Sequence, residues 1–334
     1  MNWNAEQETA IAAVIAASQL CENVRQRLGE GDHKQKDDRS PVTIADFGAQ
    51  AVILSKLKDA YPDDTVVAEE DAADLVGDAN AELRSRVTTE VQAILPDTTE
   101  QEVLASIDRG NALGGKDGRF WTLDPIDGTK GFLRKDQYAV ALALIENGEV
   151  VLGILGCPAL PQQHDVPGSP IGCLIVSQHN HGTEIFDMDG KMLAGASVDD
   201  TVNPALARLC ESVESGHSKH DWSAAIAERL GITGESVRMD SQCKYAAVGR
   251  GDASIYLRLP TRPGYQEKIW DHAAGMLAVV EAGGRVTDIH GKPLDFSQGK
   301  TLAGNQGVVA SNSHVHDAVI AVIAETKDDY LPKA

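Results

Sequence analysis

Apolar residues at the start of the chain recur at helical spacing. Over residues 5–28, Ile11, Val14, Ile15 and Leu20 fall on one side, which predicts an amphipathic helix. The polar stretch GDHKQKDDR at 31–39 reads as a loop. A second helix is expected from about 45 to 60, stopped at Tyr61-Pro62. The pattern then changes period. TVVA at 65–68 is a short strand running into Glu69, Glu70 and Asp71, residues 72–118 are polar and read as helix and loop, and 119–123 is a strand ending at Asp124. Residues 137–156 hold two β-rich runs on either side of Asn147-Gly148, a dipeptide suited to a two-residue hairpin turn.

Four prolines between 158 and 170 interrupt this pattern, and the expected lobe boundary lies there. One lobe would span 1–160, α+β with an antiparallel sheet; the other would span 161–334 and alternate α with β. In the second half the pattern predicts a strand at 171–177 and a hairpin around 187–190. Helices are expected at about 203–215 and 221–230, followed by a helix-to-strand unit at 243–259. A helix over about 270–282 is stopped by Gly283-Gly284. A hairpin at 285–296, a strand at 308–311 and a last helix at 314–326 complete the reading.

Composition narrows the class. Apolar residues make up 42% and aromatics only 4%, so the core must be built from aliphatic side chains. The net charge of −20 repels nucleic acid and anionic membranes. It would equally repel a phosphorylated substrate unless local cations reversed the field. The five cysteines, Cys21, Cys157, Cys173, Cys210 and Cys243, are odd in number and widely spaced, unlike a disulfide framework or a zinc site. No run of 18 apolar residues occurs. The expectation is a reducing compartment, the cytoplasm or alternatively an organelle, with no membrane or nucleic-acid partner; a monomer is expected.

Candidate chemistry lies in acids at strand ends and helix starts: Asp46, Glu69-Glu70, Asp124-Pro125-Ile126-Asp127-Gly128-Thr129, and Asp271. Magnesium takes hard oxygen ligands in near-octahedral geometry. Carboxylates from distant segments with one backbone carbonyl suit it. Pro125 fixes its own φ, and Gly128 allows a sharp turn. Such a turn can aim Asp124, Asp127 and the Ile126 carbonyl at one point. The N–H groups of Gly128, Thr129 and Lys130 follow, where a phosphate could sit. Taken alone, the same string is also a plain Asx turn.

In order, Asp46, VVAEE (66–70), DPIDGT (124–129), WDHAAG (270–275) and EAGG (281–284) resemble the signature of the lithium-sensitive phosphomonoesterase superfamily. That superfamily holds inositol monophosphatases, fructose 1,6-bisphosphatases and 3'(2'),5'-bisphosphate nucleotidases. SPVTIADFGAQ, GRFWTLDPIDGTKGFLR, ESGHSKHD, DSQCKY and YLRLP…YQEKIWDHAAG are similar to the bisphosphate nucleotidase branch. The resemblance implies a layered αβαβα sandwich and two or three Mg²⁺ held by Glu69, Asp124, the Ile126 carbonyl, Asp127 and Asp271, with Glu70 behind them or as a further contact. It implies that Asp46 and Thr129 activate water and that Gly128 and Thr129 hold the phosphate. His217, Ser241, Lys244 and Arg258 would line the nucleotide side, together with Asp271. The implied reaction is hydrolysis of a small bisphosphate nucleotide, adenosine 3',5'-bisphosphate, with 3'-phosphoadenylyl sulfate as a further substrate, inhibited by lithium. The second reading is an inositol-phosphate phosphatase.

Other signals carry less. GNALGGKD at 110–117 has Asp117 where a P-loop needs Ser or Thr. A calcium loop starting at Asp187 would need Gly at 192 and Glu at 198, where Met and Val stand. A silent nucleotide sensor would require a broken acid set, and an acidic calcium buffer would not require the ordered motifs.

Overall fold

A computed structural model of the chain describes residues 2–27, 41–213 and 219–332. In chain order its elements are α1 (Asn4–Gln26), α2 (Pro41–Ala60), β1 (Thr65–Ala68), α3 (Ala81–Ile94), α4 (Glu100–Asp108), β2 (Arg119–Asp127), α5 (Thr129–Arg134), β3 (Ala139–Glu146), β4 (Glu149–Pro161) and β5 (Ile171–Gln178). There follow β6 (Gly182–Phe186), β7 (Met192–Ala196), β8 (Leu209–Glu211), α6 (His220–Leu230), β9 (Val237–Arg238), α7 (Cys243–Gly249), β10 (Ile255–Arg258), α8 (Ala273–Glu281), β11 (Gly284–Thr287), β12 (Val308–Asn312) and α9 (His316–Tyr330).

The layering follows from which side chains each strand can bury. In β3 the run AVALALI is apolar at every position, the mark of a strand covered on both faces. Val140, Leu142 and Leu144 enter a core shared with α1 and α2. Ala139, Ala141, Ala143 and Ile145 enter a second core shared with α7 and α8. A third core joins Ile255, Leu257 and Val309 to Trp222 and Ile226 of α6 and Val319 and Ile323 of α9. The result is a five-layer αβαβα stack. Its seven-stranded sheet has the order β1-β2-β3-β4-β5-β6-β7, and its five-stranded sheet the order β11-β12-β10-β8-β9.

Several expected elements shift. The first sheet does not stop in the proline-rich segment, because β4 runs on to Pro161 and β5, β6 and β7 extend the sheet to Ala196. The helix expected at 203–215 is instead a single 3₁₀ turn, Pro204–Leu206, followed by β8. The β8 strand pairs in parallel with β10, so a long-range partner overrides local propensity. The hairpin expected at 285–296 does not form. The β11 strand pairs antiparallel with β12, Gly284 opposite Asn312 and Thr287 opposite Val309. The chain turns at Asp288, whose Oδ1 accepts from the N–H groups of His290 and Lys292. The hairpin between β3 and β4 forms as expected, with positive φ at both Asn147 and Gly148. The loop expected at 31–39 and the site residue His217 lie outside the described residues.

Candidate active site

β1 and β2 are the parallel pair of the first sheet, Val66 opposite Trp121 and Ala68 opposite Leu123, so both strands end at the same edge. Side chains beyond the carboxyl ends of parallel strands face a crevice. Glu69 follows β1, its N–H donating to the Leu123 carbonyl at 3.2 Å. β2 carries Asp124 and Asp127 across an irregular register, Asp124 opposite Ala141 and Asp127 opposite Ala139. That bulge, at Pro125-Ile126, re-aims the end of the strand. Gly128 then turns left-handed, with φ of 92°. A Cβ placed there would stand 2.8 Å from the Ser241 Cβ, so the turn at Gly128 and the 240–244 segment are packed against one another.

The acids converge. Asp124 is 2% exposed, and its Oδ1 finds no hydrogen-bond donor among the described residues. Burial first, then the negative charges of Glu69, Asp127, Asp271 and Asp46, push its carboxyl well above the usual range. Asp271 is raised to about 7 by burial, with Asp127 and Glu69 acting in the same direction and Arg258 and His272 opposing. Acids from four separate segments therefore share one field. A buried carboxylate oxygen without a donor is costly. A small divalent cation with oxygen ligands would relieve that cost, and the donor set here is the one magnesium takes. Glu69 is exposed and Asp127 half-buried, which leaves the cluster open on one side.

Neighbouring side chains hold this arrangement. Gln50 stands one helical turn after Asp46 on α2. Its Nε2 donates to the carbonyls of Glu70 at 2.7 Å and Ile107 at 3.2 Å, while its Oε1 accepts from the Glu70 N–H at 3.1 Å. On the other side, Gln242 donates its backbone N–H to Asp127 Oδ2 at 2.6 Å. Arg258 lies between Glu267, at 2.7 Å, and Asp271, at 3.3 Å. His272, fully buried, sits between the Tyr245 hydroxyl at 2.7 Å and Glu267 Oε2 at 3.2 Å. Burial pushes Glu267 up, but Arg258 and His272 outweigh it and hold the carboxyl below its usual range. Glu267, Asp271 and His272 bring ligand atoms close together, and Arg258 bridges the two carboxylates. Gly275 completes the motif: a Cβ there would lie 2.3 Å from the Tyr245 ring.

The residues expected on the nucleotide side are placed unequally. Ser241 has a left-handed backbone, φ 64°, and its hydroxyl donates to the Asp240 carbonyl at 2.6 Å. Lys244 is 3% exposed. Its Nζ donates to the Ser241 carbonyl at 2.8 Å and lies 5.2 Å from the Tyr256 ring centroid. Burial lowers its pKa, with Asp127 opposing. Lys244 thus fastens the turn beside Gly128, and Arg258 braces Asp271.

Sequence comparison agrees with this geometry. The sequence model of the inositol monophosphatase family matches residues 3–327. The chain belongs to the inositol monophosphatase family. Among curated relatives it is similar to the 3'(2'),5'-bisphosphate nucleotidase of Schizosaccharomyces pombe, 46% identical and covering 100% of this chain and 99% of that protein. The protein of the same name from Emericella nidulans is 44% identical over 97% of this chain and 98% of its own length. Among solved structures, the inositol monophosphatase of Anabaena sp. PCC 7120 superposes with a TM-score of 0.62 at 19% identity, covering 97% of each chain. The IMPase of Thermotoga maritima superposes with a TM-score of 0.64 at 22% identity, covering 96% of this chain and 98% of that one. These structures establish the shared family fold.

Within this family frame, the acids expected from sequence, Asp46, Glu69, Asp124, Asp127 and Asp271, are the ones drawn together. Gln50, Gln242, Glu267 and Tyr245 were not singled out. Gln50 carried a usable signal, its i+4 spacing from Asp46; the others act through contacts that spacing does not encode.

Proposed function

We propose that the chain is a magnesium-dependent phosphomonoesterase that hydrolyses adenosine 3',5'-bisphosphate to AMP and phosphate, with 3'-phosphoadenylyl sulfate as a further substrate. The observation that carries this reading is the buried, donor-less Asp124 oxygen inside a cluster of acids, in a chain 46% identical along its whole length to a named bisphosphate nucleotidase. Glu69, Asp124, Asp127, Asp271 and the Ile126 carbonyl would hold two or three ions. When bound, magnesium acidifies water and offsets the charge on the departing oxygen.

The chain's own groups then have distinct tasks. Asp46 accepts the proton of the attacking water, with the Thr129 hydroxyl orienting that water. Gly128 and Thr129 offer backbone N–H groups to the phosphate being cleaved. His217, Ser241, Lys244 and Arg258 would meet the nucleotide and its second phosphate, in a protein that works as a monomer in the cytoplasm. Among the described residues, no helix is long and apolar enough to cross a membrane. No cysteine or serine nucleophile is required, and the described cysteines are all buried.

The test is phosphate release with Mg²⁺ from adenosine 3',5'-bisphosphate, 3'-phosphoadenylyl sulfate, inositol 1,4-bisphosphate and inositol monophosphate, side by side. The highest kcat/KM belongs to adenosine 3',5'-bisphosphate. Faster turnover of an inositol phosphate would replace this reading with the inositol-phosphatase one.

A further inference from the structure

One buried side chain joins two of the acid-bearing segments. Gln242 is 2% exposed. Its backbone N–H donates to Asp127 Oδ2 at 2.6 Å, its Nε2 donates to the Trp270 carbonyl at 2.9 Å, and its Oε1 accepts from the Gly275 N–H at 3.2 Å. A single residue thus grips the acid at the end of β2 and both flanks of Asp271, the residue before it and the first turn of α8.

We propose that Gln242 is the positioning residue that sets the spacing between Asp127 and Asp271 and, through it, the affinity of the acid cluster for divalent cations. This rests on the reading that the cluster holds magnesium. The three hydrogen bonds leave the two segments little freedom to move apart, since one short residue is tied to the β2 end and to both sides of Asp271. Only a carboxamide of this length offers a donor and an acceptor at one end. Ionised glutamate would face the Trp270 carbonyl without a proton to donate, so that variant is read at pH 8, and leucine would leave the Trp270 carbonyl and the Gly275 N–H unpaired in the interior. The turn is itself held fast. The Ser241 backbone is left-handed, its Oγ accepts from the Cys243 N–H at 3.2 Å, and Lys244 Nζ binds the Ser241 carbonyl. The Gln242 N–H therefore keeps facing Asp127 when the side chain is changed, and a substitution acts on the Asp271 side alone.

The experiment is calorimetric titration of metal-stripped, full-length protein with Mn²⁺ and with Mg²⁺, for wild type, Gln242→Leu, Gln242→Glu and a control. The control is Trp222→Phe, which removes a buried hydrogen bond from Trp222 Nε1 to Thr326 Oγ1 (2.8 Å) in the core between α6 and α9. Groups that orient metal ligands typically change affinity about 10–100-fold when replaced, and both Gln242 variants should weaken binding by that factor. The control should bind metal as wild type does, even if it melts earlier. Wild-type affinity in a folded Gln242 variant, or equal loss in the control, overturns the proposal. If Gln242→Leu does not fold, Gln242→Glu decides, since it keeps the volume and the acceptor for Gly275. Binding, not turnover, is read. A wild type that binds Mn²⁺ yet leaves the bisphosphate intact removes the functional reading alone, whereas one that binds no divalent cation overturns this proposal too.

Discussion

Asp271→Asn should make the metal-free protein more stable at pH 8 and less able to use magnesium. Asparagine has the shape of the protonated acid without the charge. The Asp271 carboxyl is raised from 3.8 to about 7 in the fold. Between those values the folded state holds a proton that the unfolded chain has released. Stability supplied by this group is therefore full below about pH 4 and is lost as pH rises through about 7. A shift of about 3 units corresponds to about 4 kcal/mol at 1.36 kcal/mol per unit. The side chain is 17% exposed, so water entering the crevice screens the charge and makes this figure an upper bound. Loss of the Arg258 contact is already inside the net shift, because Arg258 acts downward. With Mg²⁺ the gap should narrow by about 2.7 kcal/mol, the gain from a ligand at about 100 times its Kd for the protein that binds it. Urea unfolding in EDTA and in Mg²⁺, at pH 4.5 and pH 8, measures all four cases. A wild type more stable than Asp271→Asn in EDTA at pH 8 would refute the reasoning, because the acids would then not be held together against their repulsion.

Two substitutions and one ion test the assigned roles. Thr129→Ala should lower kcat far more than it raises KM, measured by steady-state phosphate release; the opposite split would make Thr129 a phosphate anchor only. Arg258→Ala should lower kcat/KM on adenosine 3',5'-bisphosphate by about one to two powers of ten, from the roughly 1.5–3 kcal/mol of a charge-assisted contact. A simple monophosphate should suffer too, because Asp271 loses its partner, but by less; equal losses would assign Arg258 to Asp271 alone. Li⁺, with half the charge of Mg²⁺, should inhibit at constant ionic strength, and unchanged rates would count against the assigned metal chemistry.

Much of this molecule was legible where local pattern and tertiary structure agree. The α1 and α2 helices, the hairpin at Asn147-Gly148 and the acids of DPIDGT were readable, because periodicity and turn chemistry act over a few residues. The misread stretches depend on distant partners. β11 pairs with residues 22 to 28 positions on, at β12, and β8 is a strand because β10 lies beside it. The roles of Gln242 and Glu267 were likewise hidden, since a glutamine becomes a clamp only when Trp270 and Gly275 come within reach. The same holds for Lys244. Its string suggested a phosphate contact, and the fold adds a hydrogen bond from its ammonium to the Ser241 carbonyl that spacing does not encode.

The most direct measurement of the central claim is phosphate release from adenosine 3',5'-bisphosphate by wild type in Mg²⁺, by wild type in EDTA, and by Asp124→Asn in Mg²⁺. Asp124 is the acid whose buried Oδ1 has no donor among the described residues, so its charge is the one the fold has least other reason to keep. The account predicts robust turnover in the first case and none in the other two, with Asp124→Asn folded by circular dichroism. Full activity in EDTA, or in Asp124→Asn, would contradict it.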